Sequence, residues 1–225
     1  MILLKKLTKY FDKPFLSSTN FLLAITHRSA ASAHNERLEF LGDSVLGVVI
    51  TNKLYCLLPN ASEGYLSRLR ASLVNADSLA EISKELSVGD YIKLGPGELR
   101  AGGHRRNSIL ADALEAIIAS VYIEKGMSAA TEFILDIYKT RLDVTLLPSE
   151  HSLKDPKSRL QEKLQMHGHD IPQYKLLAIM GEAHKQEFKA ECLIANLKIR
   201  TEGVAKSRRK AEQEAAEMAY QLVQL

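Results

Sequence analysis

Three acids, Glu36, Glu39 and Asp43, stand in the segment NERLEFLGDSVL at 35–46, which is otherwise heading into a hydrophobic core. At about 100° per residue they fall within about 60° of one another on a helix, with Leu38, Leu41 and Val45 on the opposite side. A second segment, ILADALEAIIASVYI at 109–123, is apolar almost all round, as a buried helix is. Its charged groups are Asp112 and Glu115, one turn apart on one face. Burial of lone carboxylates is too costly to be incidental, so each stripe needs a partner. Taken singly, either stripe reads as the solvated face of its helix. Packed together, the two make an oxygen-only cluster. Without His or Cys, such a cluster suits a hard cation, Mg²⁺ above all, with Mn²⁺ as its substitute. Those ions serve phosphoryl chemistry.

Helices must position these acids. Apolar residues recur at spacings of three and four over 20–26, 38–58, 65–86, 109–124 and 129–143, and residues 1–147 lack strand-like alternation. Pro14, Pro59-Asn60 and Gly89-Asp90 are breaks. The segment GPGELRAGGHRR at 95–106 reads as a flexible, solvent-exposed loop, and the polar stretch 148–153 as a linker. From Lys154 the pattern changes. Asp155 followed by Pro156 starts a helix, Leu160 and Leu164 mark its face, and Gly168 stops it. Phe188, Ala190, Cys192 and Ile194 alternate with Lys189, Glu191 and Leu193, between strand-like segments at 174–180 and 197–201. Ala211, Ala215, Met218, Ala219 and Leu222 form a last helical stripe. The expectation is a multi-domain chain: an all-α domain over 1–147, a linker over 148–153, and a small α+β domain, α-β-β-β-α, over 154–225.

The 225 residues are 46% hydrophobic and 25% charged, the balance of a soluble globular protein. The net charge of +3 lies wholly in residues 154–225, which carry 13 Lys and Arg against 10 Asp and Glu. Its densest part is KSRRK, where Ser207 is an N-cap and Arg208, Arg209 and Lys210 fill the first helical turn. Cations there oppose the helix dipole, and a phosphate backbone would resolve the conflict. The plainer reading of such a run by itself is a solvated basic turn. Gln161 and Gln165, one turn apart, could hydrogen-bond ribose 2′-hydroxyls in a shallow minor groove, and His184 could reach a second groove. Two cysteines, Cys56 and Cys192, make neither a disulfide framework nor a zinc signature, and both are expected in apolar packing. The N-terminus lacks the pattern of a cleaved signal, and no stretch approaches the roughly 20 apolar residues of a membrane span. A reducing cytoplasm is the expected compartment.

The segment NERLEFLGDSVL resembles the signature of the ribonuclease III family. The resemblance continues through EGYLSRLRASLVN (63–75), LGPGELRAGG (94–103) and SILADALEA (108–116). SRLQEKLQ, PQY, GEAHKQEF and SRRKAEQEAA are together similar to a double-stranded-RNA-binding domain. The match covers nearly the whole chain in the domain order of the bacterial enzyme. It implies an all-α endonuclease domain that forms a homodimer, followed by the small α+β RNA-binding domain. By position, Glu39, Asp43, Asp112 and Glu115 are implied as metal-binding acids, and Asp43, Glu115, Glu36 and Glu63 as catalytic ones. Glu36 and Glu63 are implied as further acids near the cleavage site, and Glu98 as an acid of the loop. Phe40 is implied to pack across the dimer interface. Gln161, Gln165, His184, Arg208 and Arg209 match RNA-contact positions, and Lys210 belongs to the same basic turn.

The activity implied is Mg²⁺-dependent endonucleolytic cleavage of double-stranded RNA to 5′-phosphate and 3′-hydroxyl ends, leaving short 3′ overhangs. The implied substrates are ribosomal-RNA precursors and some messenger and transfer RNAs, with neither membrane nor nucleotide cofactor involved. One competing class is a catalytically silent duplex-RNA-binding protein, whose mark would be loss of a metal acid. Another is a phosphohydrolase of small substrates, against which the appended domain argues. The chain departs from the family pattern at Ala205, where glycine is usual, and in carrying arginines where lysines usually precede the final helix.

Overall fold

Asp12, Ser18, Ser62 and Asn75 each accept the backbone N–H three residues on, and each thereby starts a helix. In the computed structural model, which describes residues 7–182 and 185–223, the chain divides into two units, Met1–Pro148 and Ser149–Leu225. The first unit contains α1 (Lys13–Leu16), α2 (Thr19–Ala24), α3 (Glu36–Leu57), α4 (Glu63–Val74), α5 (Ala76–Glu85), α6 (Pro96–Arg100) and α7 (Asn107–Ile137). Its centre is the pairing of α3 with α7, and α5 and α2 cover other sides of α7. From Ile109 to Val121 every residue of α7 is buried except Asp112 and Glu115. Leu46, Ile50 and Leu54 of α3 and Leu110, Leu114 and Ile117 of α7 are almost fully buried. Each such side chain contributes roughly 1.5–3 kcal/mol relative to exposure.

Several sequence expectations change. The run 65–86 is two helices, because Asn75 takes an extended backbone (ψ 162°) and its side chain caps α5 through the Ser78 N–H. The last two helical segments are distinct, as expected: α7 breaks at Gly126, whose backbone (φ +82°, ψ 177°) is not helical, and its second part ends at Ile137. The segment 95–106 is not an open loop. It folds into α6 and a 3₁₀ turn at Gly103–Arg105, and the Gly95 N–H donates to Ser29 Oγ at 2.9 Å. Cys56 is exposed rather than packed among apolar groups, whereas Cys192 is buried. By length and composition alone α3 is long and apolar enough to cross a membrane, a test that the core helix of a bundle also passes. That differs from the expectation that no stretch qualifies. Here α3 is the central helix of a bundle, packed on α7.

The second unit contains α8 (Glu150–Leu153), α9 (Pro156–Met166), β1 (Gln173–Met180), β2 (Glu187–Ile194), β3 (Ile199–Ala205) and α10 (Arg208–Leu222). The strands form an antiparallel sheet in the order β1-β2-β3, with Cys192 opposite both Tyr174 and Thr201. Leu160, Leu164, Cys192, Ile194, Ala215, Ala216, Ala219 and Val223 form one core between helices and sheet. A Cβ at Gly203 would lie 2.3 Å from the Ala211 carbonyl oxygen, so β3 approaches α10 closely only because that position has no side chain. Ala205 is an ordinary extended residue paired with Phe188, so alanine is accommodated there without strain. The expected linker is partly structured. Ser149 caps α8, and His151 Nε2 lies 2.8 Å from Tyr220 Oη. The third strand starts at Ile199, after a 3₁₀ turn at Ala195–Leu197 and Lys198 at φ +54°.

Candidate metal centre and nucleic-acid interface

The acids meet because α3 and α7 touch at a glycine. A Cβ on Gly42 would fall 1.8 Å from the Glu115 carbonyl oxygen, so any side chain there would push the helices apart. Glu39 and Asp43 flank Gly42 along α3, at the edge of the face formed by Leu38, Gly42, Val45, Leu46, Val49, Ile50 and Leu54. Glu39, Asp112 and Glu115 each offer a carboxylate oxygen, and these oxygens lie within 4.8 Å of one another. All three residues are half-buried. Asp43 is exposed and stands outside this close triple, although its charge acts on Glu115.

Burial pushes the Glu115 carboxyl up to about 8, and the negative charges of Asp43, Glu39 and Asp112 add to the shift. Burial also raises Glu39, reinforced by Asp112 and Glu36 and opposed by Arg28. Burial raises Asp112 too, against the charges of His27 and Arg28. Carboxylates held this close cannot all ionise without a counter-charge. An all-oxygen donor set, half-buried and only partly offset by Arg28, fits a hard divalent cation.

A hollow of about 560 Å³ opens over Glu39 and Asp112, and His27, Arg28, Glu36, Glu98 and Arg106 also line it. Arg28 Nη1 donates to Glu36 Oε1 at 3.1 Å, and Arg106 Nη1 stands 2.8 Å from Glu98 Oε1. His27 Nδ1 accepts the Ser29 N–H at 3.2 Å, so in the neutral ring the proton sits on Nε2. Glu36 and Glu98 thus reach the hollow but are engaged by arginines. Glu63 does not reach it. Its Oε1 accepts from Ser67 Oγ at 2.7 Å, and it lines a separate hollow of about 340 Å³ with Thr51, Tyr55, Leu66 and Arg70. Thr51 is roughly 18 Å along α3 from Glu39 at 1.5 Å per residue. Phe40 is 77% exposed, and Val48 and Tyr55, at 59% and 72%, extend an apolar stripe along the outside of α3.

Sequence reasoning missed Gly42, His27, Arg28 and Arg106. A glycine inside a strong helical pattern costs about 1 kcal/mol relative to alanine, and that was a readable signal for Gly42. His27, Arg28 and Arg106 sit in polar segments and carry no local signal.

In the second unit Gln161 and Gln165 are exposed on α9. Ser207 Oγ accepts the Lys210 N–H at 3.3 Å, which confirms the N-cap. Arg208 Nε donates to Glu212 Oε1 at 2.9 Å, one turn on. Burial alone would raise the Glu212 carboxyl, but hydrogen bonds from Lys157 and Arg208 outweigh it and hold the group below its ordinary range. The conflict between the basic turn and the helix dipole is therefore eased within the chain at Arg208. Arg209, 3.7 Å from Asp155 and 83% exposed, and the exposed Lys210 keep their charge toward solvent. His184 lies outside the described residues.

Fold and site together define a divalent-metal nuclease with an appended RNA-binding domain. Residues 18–142 match the ribonuclease-III-like family model, and residues 156–223 match the double-stranded RNA binding motif. Ribonuclease 3 of Shewanella woodyi is 54% identical over 200 residues, covering 89% of this chain and 88% of that protein. Ribonuclease 3 of Vibrio vulnificus is 50% identical over 218 residues, covering 97% and 96%. Among solved structures, the nuclease domain of ribonuclease III from Campylobacter jejuni superposes with a TM-score of 0.56 at 40% identity, covering 61% of this chain and 94% of that one. The chain belongs to the ribonuclease III family, the double-strand-specific endoribonucleases.

Proposed function

We infer that this chain hydrolyses phosphodiester bonds of double-stranded RNA at the α3–α7 carboxylates and binds Mg²⁺ there, with Mn²⁺ as a substitute. The observation that carries the reading is the close triple of Glu39, Asp112 and Glu115, joined to a domain that matches a duplex-RNA-binding motif. Glu39, Asp112 and Glu115 would hold the ion, with Asp43 at their edge as the fourth acid. Bound there, it supplies the positive charge that lets an attacking water ionise and that stabilises the developing negative charge at phosphorus. The protein's own part is to fix four carboxylates on two rigid helices, so that little reorganisation is needed during reaction. The products carry 5′-phosphate and 3′-hydroxyl ends.

The exposed stripe of Phe40, Val48 and Tyr55 supports a homodimer in which Phe40 is buried against a second copy. The solved Campylobacter nuclease domain is described with a region involved in dimer formation, which agrees with that reading. Two sites related by a two-fold axis would cut both strands and leave short 3′ overhangs. Glu63, remote from the acids of its own chain, would then act only through that assembly. Gln161, Gln165, Arg208, Arg209 and Lys210 contact the ribose-phosphate backbone. Such contacts read shape and 2′-hydroxyls, so sequence preference is weak. The family's ribosomal-RNA precursors and structured messenger and transfer RNAs are the expected substrates, in the cytoplasm. All four metal acids are present, which argues against a silent binder. Incubating the purified chain with duplex and with single-stranded RNA, with and without Mg²⁺, tests the reading. Cutting is expected only for duplex with Mg²⁺, and metal-independent or single-strand cutting would sink it.

A further inference from the structure

We propose that Arg28 and Arg106 bind the RNA backbone at the cleavage site, and that Glu36 and Glu98 are positioning residues for them rather than metal ligands. This rests on the acid cluster being the nuclease centre. Both arginines line the hollow over Glu39 and Asp112. They come from different parts of the chain, Arg28 from the segment before α3 and Arg106 from the residue preceding α7. Each is held by one acid of the same hollow, at 3.1 Å for Arg28–Glu36 and 2.8 Å for Arg106–Glu98. The acid floor is thus flanked by two Arg–Glu pairs.

In the Arg106 pair the acid is the sheltered member and the guanidinium the open one, with side-chain exposures of 20% and 51%. Arg28 is more open still, at 70% against 48% for Glu36. An ion pair as open as Arg28–Glu36 adds little to stability, so folding does not account for it. Each glutamate meets its arginine through a single Nη1–Oε1 approach, so the rest of each guanidinium's donor fork is left to engage a phosphate. Glu36 lies outside the close triple, and its two oxygens face Arg28 and, at 3.8 Å, His34. A polyanion approaching an acid cluster needs fixed cations beside it as well as the ion within it. These two arginines supply them, and their glutamates keep them aimed when RNA is absent.

The test uses the full-length chain in a Glu115→Gln background, with binding to duplex RNA measured against salt. Arg28→Ala and Arg106→Ala are each expected to weaken binding about tenfold and to shallow the slope of log affinity against log salt by about one. Arg28→Lys should keep the slope, which separates charge from folding damage. Adding Glu36→Gln to Arg28→Ala should cost less than about twofold more, because Glu36 acts through Arg28. An unchanged slope in either arginine variant, or losses that multiply in the double variant, overturns the proposal. Failure of the underlying reading would look different: the unaltered chain would not cut duplex RNA in Mg²⁺ at all.

Discussion

Glu115 is the carboxylate with most to gain from a bound cation, because burial and three neighbouring acids all oppose its charge. Glu115→Gln is expected to abolish cleavage while leaving duplex binding within about threefold, since the amide keeps the shape but cannot neutralise the ion. Turnover near that of the unaltered protein in Mg²⁺ would refute the role. Asp43→Asn and Asp112→Asn should behave alike, and double variants should lose much less than the singles combined, because the acids share one centre. The same residue sets a pH dependence. Its carboxyl is raised from 4.5 to about 8 in the fold, so in metal-free protein its protonation stabilises the fold fully below 4.5. That contribution is lost as pH rises through about 8. The Tm in chelator should therefore fall between those limits, and Glu115→Gln should flatten the fall. Mg²⁺ should raise the Tm most at the alkaline end, where fewer protons must be displaced. A Tm that rose with pH in chelator would contradict the burial of this group.

At the scale of elements, two faces of α3 do separate work. The inner one meets α7 at Gly42, where a methyl group would overlap the Glu115 backbone. Gly42→Ala is expected to lower stability by about 1–3 kcal/mol, the usual cost of overpacking, and to weaken Mg²⁺ binding by spreading the acids. Calorimetry on the variant with and without Mg²⁺ measures both effects, and an unchanged Tm would mean the helices have slack there. The outer face presents Phe40, which a monomer leaves 77% exposed. Phe40→Asp should give a folded monomer with little activity, read by sedimentation and circular dichroism. A variant that still sediments as a dimer would move the interface elsewhere.

For the molecule as a whole, the division into two units implies a division of labour. Residues 149–225 are expected to fold alone and to bind duplex RNA but not single strands. Because Arg208 is already tied to Glu212, Arg209 should carry more of the contact. Arg209→Ala should weaken binding about equally across sequences and shallow the salt slope by about one, with a smaller change for Arg208→Ala. Equal salt slopes in the variants and the parent would reduce this turn to a solvated helix start. The first unit carries all four acids proposed for the metal within residues 1–148 and should still cut at low salt without its companion.

Local rules were enough for the helix and strand pattern. Periodicity of three and four, the caps at Asp155 and Ser207, and the alternation around Cys192 act over a few residues and are written there in full. The paired acids were legible for the same reason, since a carboxylate in an apolar helix is anomalous wherever that helix packs. Breaks set by backbone geometry were not legible, as at Asn75, where a capping residue ends one helix and starts the next within an unbroken apolar rhythm. Nor was the order hidden in 95–106, which depends on Ser29, 66 residues away from Gly95 in sequence. Only the tertiary structure could decide that Glu39 joins Asp112 and Glu115 while Asp43 stands aside and Glu63 lies in another hollow. Which face of one helix meets another is set by close packing across long sequence separations, and at this site it turns on the missing side chain of Gly42.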